Sequence, residues 1–264
     1  MMAASRAGSI DGRRLDDFRI AIDGPGAAGK STVSQRLAER LGYRHFDTGL
    51  LYRTLTLLAL RRQVDPGDAG ALAQLAAAMP VEVQRPQVAD GRSCSVLLAG
   101  EDITWALHSP EVDRDVSQVS AHPEVRAALL EPQRRIAAGG AIAVVGRDIG
   151  TVVLPDADLK VYLTASTEER AHRRHDERLA RGEPSTYATV LAELRRRDEH
   201  DSGRGAAPLR PAPDAVVMDT TGHSVDEVVA LVMQQVQERL HEAGGQAPTE
   251  SSHLASTTSE AQHG

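Results

Sequence analysis

The sequence predicts an α/β fold in which helices cover both faces of a parallel sheet of about five strands, a doubly wound sheet. Short apolar runs alternate with segments of helical periodicity along most of the chain. The first of these runs leads directly into a glycine-rich loop and then a helix. Between residues 64 and 107 the pattern changes to short strands separated by turn clusters. That change predicts a small antiparallel sheet inserted into the α/β chain.

The first two strands and helices are predicted from residues 18–62. The apolar run 18–23 predicts a buried strand. Residues 30–41 predict a helix because Val33, Leu37 and Leu41 recur on one helical face, and Gly42 is typical of a helix end. A second short strand is predicted at 43–46 and a second helix at 50–62. Strand and helix therefore alternate from the start of the domain.

The insert and the rest of the sheet follow. An alanine-rich helix at 68–79 leads to predicted strands in VEVQ, SCSVLLAG and DITW, with turns at ADGR and GED. Helices are predicted at 112–119 and 123–138, and three more strands at 141–145, 159–164 and 215–218. Residues 168–200 predict a continuous, highly charged helical segment, and residues 225–241 a last amphipathic helix. The result is one domain spanning residues 18–241.

The two ends of the chain differ from this domain in composition. Residues 1–17 are small and polar and predict a flexible leader. Residues 242–264 have few hydrophobic side chains and predict a disordered tail.

Composition excludes several classes of protein. A net charge of −7 argues against binding nucleic acid through phosphate neutralisation. A single cysteine, Cys94, rules out an intrachain disulfide framework and fits a reducing cytosol. The absence of a long apolar run argues against a membrane partner. We therefore expect a cytoplasmic protein that binds neither nucleic acid nor membrane.

The glycine-rich loop carries the clearest chemical signal. It matches G-x-x-x-x-G-K-[ST], with backbone N–H groups and the start of a helix available to hold phosphates. Only two of the 30 basic residues are lysines, Lys30 and Lys160, so a chance lysine at this position is improbable. Lys30 is expected to reach the β- and γ-phosphates of ATP, and Ser31 to offer its hydroxyl to Mg²⁺. The expected nucleotide-binding residues are Gly24, Pro25, Gly26, Ala27, Ala28, Gly29, Lys30, Ser31 and Thr32.

The loop leaves the second substrate open. A GTPase of the common type needs an Asn-Lys-x-Asp box, and the chain has no asparagine; no LSGGQ-type sequence supports a transporter ATPase. A small-molecule kinase is the leading class. One alternative is a kinase for a hydroxyl acceptor such as shikimate or gluconate, with Asp47 as the base. Another is a regulatory module that binds ATP and hydrolyses it slowly.

Two groups of residues at predicted strand ends point to the acceptor. Asp47 and Thr48 follow the second strand, and Arg53, one helical turn beyond, is placed to hold a phosphate. The simpler interpretation is a helix cap and a surface arginine. Arg147 and Asp148 follow the strand at 141–145, where the carboxyl end faces the binding crevice. A solvated turn is the alternative there.

The charged segment from residue 170 to 204 is the third group. Arg197, Asp201 and Arg204 lie at its end, and arginines on a mobile lid neutralise charge on a transferring phosphoryl group. Because arginine is the common cation of this chain, a solvated face remains the competing interpretation for the other arginines.

Five blocks in order resemble bacterial cytidylate kinase, of the P-loop nucleoside monophosphate kinase family. They are IAIDGPGAAGKST, FDTGLLYR, SQVSAHPEVRAALL, VVGRDIGTVVLPDADLKVYLTASTEERAHRR and RRRDEHDSGRGAAPL. The resemblance extends over residues 19–240 or so, nearly everything except the two ends. It implies transfer of the ATP γ-phosphoryl group to CMP or dCMP with Mg²⁺, by a monomer. It also implies a P-loop core, a helical lid at about 168–204, and an acceptor-binding region that contains the insert at about 64–107.

The resemblance also implies roles for individual residues. Those around the cytosine would be Ser117, Arg126 and Asp148. Those near the sugar would be Arg197 and Asp201. Those around the acceptor phosphate would be Thr48, Tyr52, Arg53, Arg147 and Arg204, with Asp47 beside them. The catalytic set would be Lys30, Arg147, Arg197 and Arg204. Physical chemistry agrees at Asp148, because a carboxylate accepts a hydrogen bond from the N4 amine of cytosine and finds no donor there on uracil.

Overall fold

The computed structural model describes residues 9–10, 13–14, 17–84, 86–205 and 207–244. Within the predicted leader, β1 (Ser9–Ile10) pairs antiparallel with β2 (Arg13–Arg14). The rest of residues 1–16 lies outside the described residues, as do residues 245–264 of the predicted tail. The domain boundaries at 18 and 241 stay predictions.

The remaining strands of the described residues, in chain order, are β3 (Arg19–Asp23), β4 (Arg44–Asp47), β5 (Val81–Gln84), β6 (Ser95–Leu98), β7 (Glu101–Asp102), β8 (Ile142–Val145), β9 (Leu159–Thr164) and β10 (Val216–Asp219). The helices are α1 (Lys30–Leu41), α2 (Gly49–Arg61), α3 (Ala69–Ala78), α4 (Pro110–Val119), α5 (Pro123–Ala137), α6 (Thr167–Ala180), α7 (Tyr187–Ser202) and α8 (Val225–Gly244). None of these helices has an apolar stretch long enough to cross a membrane.

The central sheet has five strands in the order β10-β9-β3-β8-β4, and every pairing in it is parallel. One of its faces packs against α1 and α8, where Val33 and Leu37 meet Val229 and Val232. The other face packs against α2 and α5, in a second hydrophobic core that extends into the insert. The predicted doubly wound α/β fold is confirmed. Because the strands are parallel, all their carboxyl ends meet at one edge of the sheet.

The insert is confirmed as a separate antiparallel sheet in the order β5-β6-β7. Its third strand was predicted wrongly. It is only Glu101–Asp102, and the DITW segment instead turns into a short 3₁₀ helix, Ala106–His108. The Asp102 carboxylate accepts hydrogen bonds from both the backbone N–H and the hydroxyl of Thr104, so the chain bends where a longer strand was expected. Cys94 is buried in this region, as a small hydrophobic residue.

The charged segment 168–200 was predicted as continuous and is in fact two helices, α6 and α7, which pack against each other. The break lies at residues 181–186. Gly182 adopts a left-handed conformation with φ +73°, and Pro184 cannot continue a helix. Arg181 donates its backbone N–H to the carbonyls of Glu177 and Arg178 and closes α6. The predicted lid is therefore a helical hairpin that rests beside the glycine-rich loop.

Candidate active site

The glycine-rich loop joins the end of β3 to the start of α1. Gly24 has a φ of +146°, and a Cβ atom there would lie 1.9 Å from the carbonyl oxygen of Leu163 on β9, so only glycine fits. Gly29 precedes α1 with φ +84°, and Ala27 also has a positive φ of 60°. The loop therefore curls tightly around the N-terminus of α1, where free backbone N–H groups favour an anion.

Lys30 lies buried under this loop. Its Nζ donates a 2.6 Å hydrogen bond to the carbonyl oxygen of Pro25. Burial and the nearby guanidinium groups of Arg147 and Arg197 together lower the pKa of Lys30 to about 7, against the opposing effect of Asp47. A bound phosphate would reverse this effect, because an anion beside the amine favours its charged form.

Ser31 and Asp47 meet at the end of the loop. The Ser31 hydroxyl donates to Asp47 Oδ2 at 2.8 Å, while Asp47 Oδ1 accepts the backbone N–H of Gly49 at 2.9 Å. Hydroxyl and carboxylate oxygens are the ligands that Mg²⁺ prefers. Within the part of the chain that the structure describes, no three His, Cys, Asp or Glu side chains gather as a metal site. The residues fit a Mg²⁺ ion that takes its other ligands from phosphates and water.

The ends of β4 and β8 are joined at Thr48. Its backbone N–H and its hydroxyl both donate to the carbonyl oxygen of Val145, at 2.9 and 3.0 Å. A Cβ atom on Gly146, the residue after Val145, would lie 2.7 Å from the hydroxyl oxygen of Thr48. The absence of a side chain at Gly146 therefore lets the two strand ends, and the residues that follow them, come together.

A cleft opens between these strand ends, α2, α5 and the lid hairpin, around a cavity of about 70 Å³. Most of the predicted acceptor residues line it: Thr48, Tyr52, Arg53, Arg126, Arg147, Asp148, Arg197 and Arg204. Arg126 donates to Asp148 at 2.5 Å, and its guanidinium group lies 5.6 Å from the centre of the Tyr52 ring. The sequence-predicted residues are thus brought together from four separate stretches of chain.

Asp201 lies beneath the cleft and is 1% exposed. Its carboxylate contacts Arg147 Nε at 2.5 Å and also Arg204, with Arg197 Nε at 3.9 Å. Burial raises the pKa of Asp201, but these three arginines together hold it below the usual value. One carboxylate therefore faces three guanidinium groups, which leaves an excess of positive charge in the cleft.

Two of these arginines connect the cleft to the loop. A Cβ atom built on Gly26 would lie 3.8 Å from Arg147 Nη2 and 4.0 Å from Arg197 Cδ. The proximity of Arg147 lowers the pKa of Arg197 to about 9. Two cations held this close, between an anion-binding loop and a second cleft, are arranged to receive a highly charged phosphoryl group.

Two predicted residues lie away from the cleft. Ser117 is half-buried on α4 and is not among the residues that line the cavity, whereas Val116 and Ser120 are. The Ser120 carbonyl accepts a 3.2 Å hydrogen bond from Arg126. Thr32, predicted with the loop, is exposed on the first turn of α1.

Asp23 was not predicted, although it ends β3 and directly precedes the loop. It is 4% exposed, and its two carboxylate oxygens accept the backbone N–H groups of Ile149 and Gly150, each at 2.7 Å. These residues begin a π-helical turn, Ile149–Val153, immediately after Asp148. Burial raises the pKa of Asp23 to about 6. The only signal in the sequence is an aspartate at a strand end, and its partners become visible once β8 is known to neighbour β3.

A phosphate loop at the edge of a parallel sheet, with arginines between it and a second cleft, defines a P-loop kinase. The family model for cytidylate kinase matches residues 20–238. The chain belongs to the cytidylate kinase family.

Individual relatives agree with this assignment. A cytidylate kinase of Herpetosiphon aurantiacus is 51% identical over 214 residues, which cover 81% of this chain and 92% of the relative. One of Geobacillus sp. (strain WCH70) is 46% identical over 225 residues, 85% of this chain and 99% of the relative. A solved gluconokinase of Sinorhizobium meliloti 1021 has 16% identity and a TM-score of 0.43 over 88% of this chain and 96% of its own, a similarity too weak to bear on function.

Proposed function

We propose how this site carries out the reaction of its family, the transfer of the γ-phosphoryl group of ATP to CMP or dCMP, which yields ADP and CDP or dCDP. The observation that carries the proposal is the position of Arg147 and Arg197 between the loop at Gly26 and the cleft that contains Asp148. Donor and acceptor phosphates bound on the two sides of these guanidinium groups would meet there.

The nucleophile is an oxygen of the acceptor's own phosphate. It is ionised near neutral pH, so the reaction needs no general base, and catalysis consists of positioning and charge neutralisation. Lys30 holds the β- and γ-phosphates of ATP within the loop. Arg147, Arg197 and Arg204 stabilise the charge on the transferring group. A kinase for a hydroxyl acceptor would need Asp47 as a base, but Asp47 contacts Ser31 at the end of the loop and does not line the acceptor cavity.

In this proposal the base and the phosphate of the acceptor occupy different parts of the cleft. Asp148, oriented by Arg126, accepts a hydrogen bond from the N4 amine of cytosine. Ser117, which does not line the cavity, would reach the base only if α4 shifts when the acceptor binds. Asp201 and Arg197 address the sugar. Thr48, Tyr52, Arg53, Arg147 and Arg204 surround the phosphate. Support comes from the Arg126–Asp148 contact of 2.5 Å, which fixes a carboxylate at the cleft wall.

Mg²⁺ would be held by the Ser31 hydroxyl, by Asp47 directly or through water, and by the phosphates of ATP. The ion supplies charge neutralisation to the β- and γ-phosphates. The 2.8 Å contact between Ser31 and Asp47 keeps both oxygen donors at the end of the loop.

We also propose that α6 and α7 form a lid and that residues 64–107 belong to the acceptor-binding region. Arg197 on α7 lines the acceptor cleft, so movement of the lid would open and close this site around the acceptor. The enzyme acts in this proposal as a cytoplasmic monomer without nucleic-acid or membrane partners.

An acceptor panel tests the proposal. ADP release is measured with ATP and Mg²⁺ in the presence of CMP, dCMP, UMP, AMP or shikimate. We expect fast release with CMP or dCMP and slow release with the others. Preference for UMP or for shikimate would contradict the proposal, and release without any acceptor would favour an ATP-hydrolysing module instead.

A further inference from the structure

Arg53 lies in the acceptor cleft but is held from outside it. Its Nη1 donates to the carbonyl oxygen of Leu107 at 2.9 Å and lies 2.7 Å from the Asp113 carboxylate. Leu107 belongs to the short 3₁₀ helix at the end of the insert, and Asp113 to the first turn of α4. Two consecutive elements of the chain, the 3₁₀ helix and α4, therefore contact the same nitrogen atom, Nη1 of Arg53.

The other edge of this guanidinium group is free to bind. Among the described residues, neither Nε nor Nη2 of Arg53 donates a hydrogen bond. These two nitrogens form one fork of the planar group, and such a fork matches two oxygens of a phosphate. Anchoring Nη1 fixes the plane of the guanidinium group, and with it the direction in which the fork points.

We propose that Asp113 is a positioning residue for the acceptor phosphate, which it serves by orienting Arg53. The inference rests on the proposed role of Arg53. Asp113 does not touch the acceptor, because its carboxylate lies on the opposite side of Arg53 from the free fork. Its side chain is 39% exposed and that of Arg53 17% exposed, so the pair is partly screened and its effect is modest.

The charge of Asp113 also acts on the lid. Burial lowers the pKa of Arg174 on α6, while the charges of Glu177 and Asp113 raise it to a net value above the usual one.

The chain offers a matched control two residues away. Asp115 lies on the same helix and pairs with Arg114, whose side chain is 67% exposed, and neither residue lines the cleft. Asp115→Asn removes the same charge from the same helix without touching Arg53. Asp113→Glu retains the charge at the test position.

The experiment compares the wild type with Asp113→Asn, Asp113→Glu and Asp115→Asn in steady-state kinetics. We expect Asp113→Asn to raise KM for CMP about three- to five-fold, with kcat and KM for ATP unchanged. Inhibition by cytidine, which has no phosphate, should be unchanged in the same variant. Asp113→Glu should recover most of the affinity for CMP, and Asp115→Asn should match the wild type.

The variant Arg53→Lys distinguishes the proposed role of Arg53 in binding phosphate from the proposed role of Asp113 in orienting Arg53. A raised KM for CMP in Arg53→Lys together with a wild-type KM in Asp113→Asn would overturn the role of Asp113 and leave that of Arg53 intact. A wild-type KM in Arg53→Lys would contradict the proposed role of Arg53 itself. Equal weakening of CMP and cytidine in Asp113→Asn would mean that Asp113 supports the cleft as a whole, and would also overturn the proposal.

Discussion

Lys30 is buried among cations, with its amine turned back onto the loop carbonyl of Pro25. The charged form of Lys30 is therefore destabilised in the free enzyme, and bound phosphates would stabilise it. This arrangement favours ATP over an uncharged ligand because the site itself is short of negative charge.

We expect Lys30→Ala to lose at least about 100-fold in kcat while the fold persists, because a positioned cation at the transferring group is removed. The second lysine provides the control. Lys160→Met removes an amine that pairs with Asp214 and keeps the side-chain stem. Near-normal CMP-dependent ADP formation by Lys30→Ala would contradict the role of Lys30.

The lowered pKa of Lys30, about 7, has a consequence for ATP binding. Above pH 7 the free enzyme carries a largely neutral amine, and binding raises its pKa and draws a proton from solution. Binding at pH 8 should therefore be accompanied by net proton uptake, which fades below pH 6. Calorimetry in buffers of different ionisation enthalpy measures it, and Lys30→Met should abolish it. Uptake that persists in the variant would assign the proton to another group.

Asp148 is expected to decide between cytosine and uracil. In Asp148→Asn the carboxamide presents a donor as well as an acceptor and loses the ion pair with Arg126. We expect the ratio of kcat/KM for CMP to that for UMP to fall about 10-fold or more. Asp156→Asn, at a surface ion pair with Arg19, serves as the control. An unchanged ratio in Asp148→Asn would mean that residues other than Asp148 distinguish cytosine from uracil.

The residues that we assign to phosphate were suggested by the sequence because their chemistry and their positions at strand ends coincide. Asp23 and Asp113 were not. Each contacts a neighbour in space, a backbone N–H pair for Asp23 and a guanidinium group for Asp113. No local pattern distinguishes such a carboxylate from a solvated one.

At the scale of elements, Arg170 ties the lid to the loop. It is 3% exposed and donates to the carbonyls of Gly26 and Ala165, to Thr167 and to Asp198. A helix of the lid is thereby attached to the donor site through one side chain.

We expect Arg170→Met to lower the free energy of unfolding by about 2–4 kcal/mol, because it leaves buried acceptors and a carboxylate unpaired. Chemical denaturation measures the loss. Arg195→Met provides the control, since Arg195 forms an exposed pair with Glu168 and should cost less than about 1 kcal/mol. Equal losses of unfolding free energy in the two variants would show that the buried hydrogen bonds of Arg170 stabilise the fold no more than an exposed ion pair does.

The bounds of most helices and parallel strands were predicted to within a few residues. The spacing of apolar residues shows whether one face or both faces of such an element are buried. The errors have local causes. Gly182 and Pro184 interrupt a charge pattern that otherwise continues through them. The side chain of Asp102 ends a strand that was predicted to continue through Ile103 and Trp105. The π-helical turn after Asp148 depends on Asp23, which lies 125 residues earlier in the chain.

At the scale of the whole molecule, a net charge of −7 coexists with a cleft lined by arginines. The acidic exterior and the basic cleft are separate features, and only the second concerns the substrates. Anion binding should therefore stabilise the entire fold, because the lid, α2, α5 and the end of β8 all contribute arginines to one cleft.

We expect CMP at about 100 times its Kd to raise the unfolding free energy by about 2.7 kcal/mol, and Tm by about 5–10 °C. Cytidine at the same concentration should give a much smaller shift, since it lacks the phosphate that the arginines address. Differential scanning calorimetry at fixed ionic strength measures both. Equal shifts would mean that the base, rather than the charge, dominates binding.

Trp105, on the insert, is the only tryptophan of the chain. Its ring is 54% exposed, its Nε1 donates to Asp90, and its centre lies 6.4 Å from the ring of His108. Two residues further on is the Leu107 carbonyl that holds Arg53. The enzyme thus contains a single intrinsic fluorophore, two residues from the carbonyl that holds an arginine of the acceptor cleft. Its emission, free of any other indole, offers a label-free signal for the arrival of the acceptor in rapid-mixing experiments.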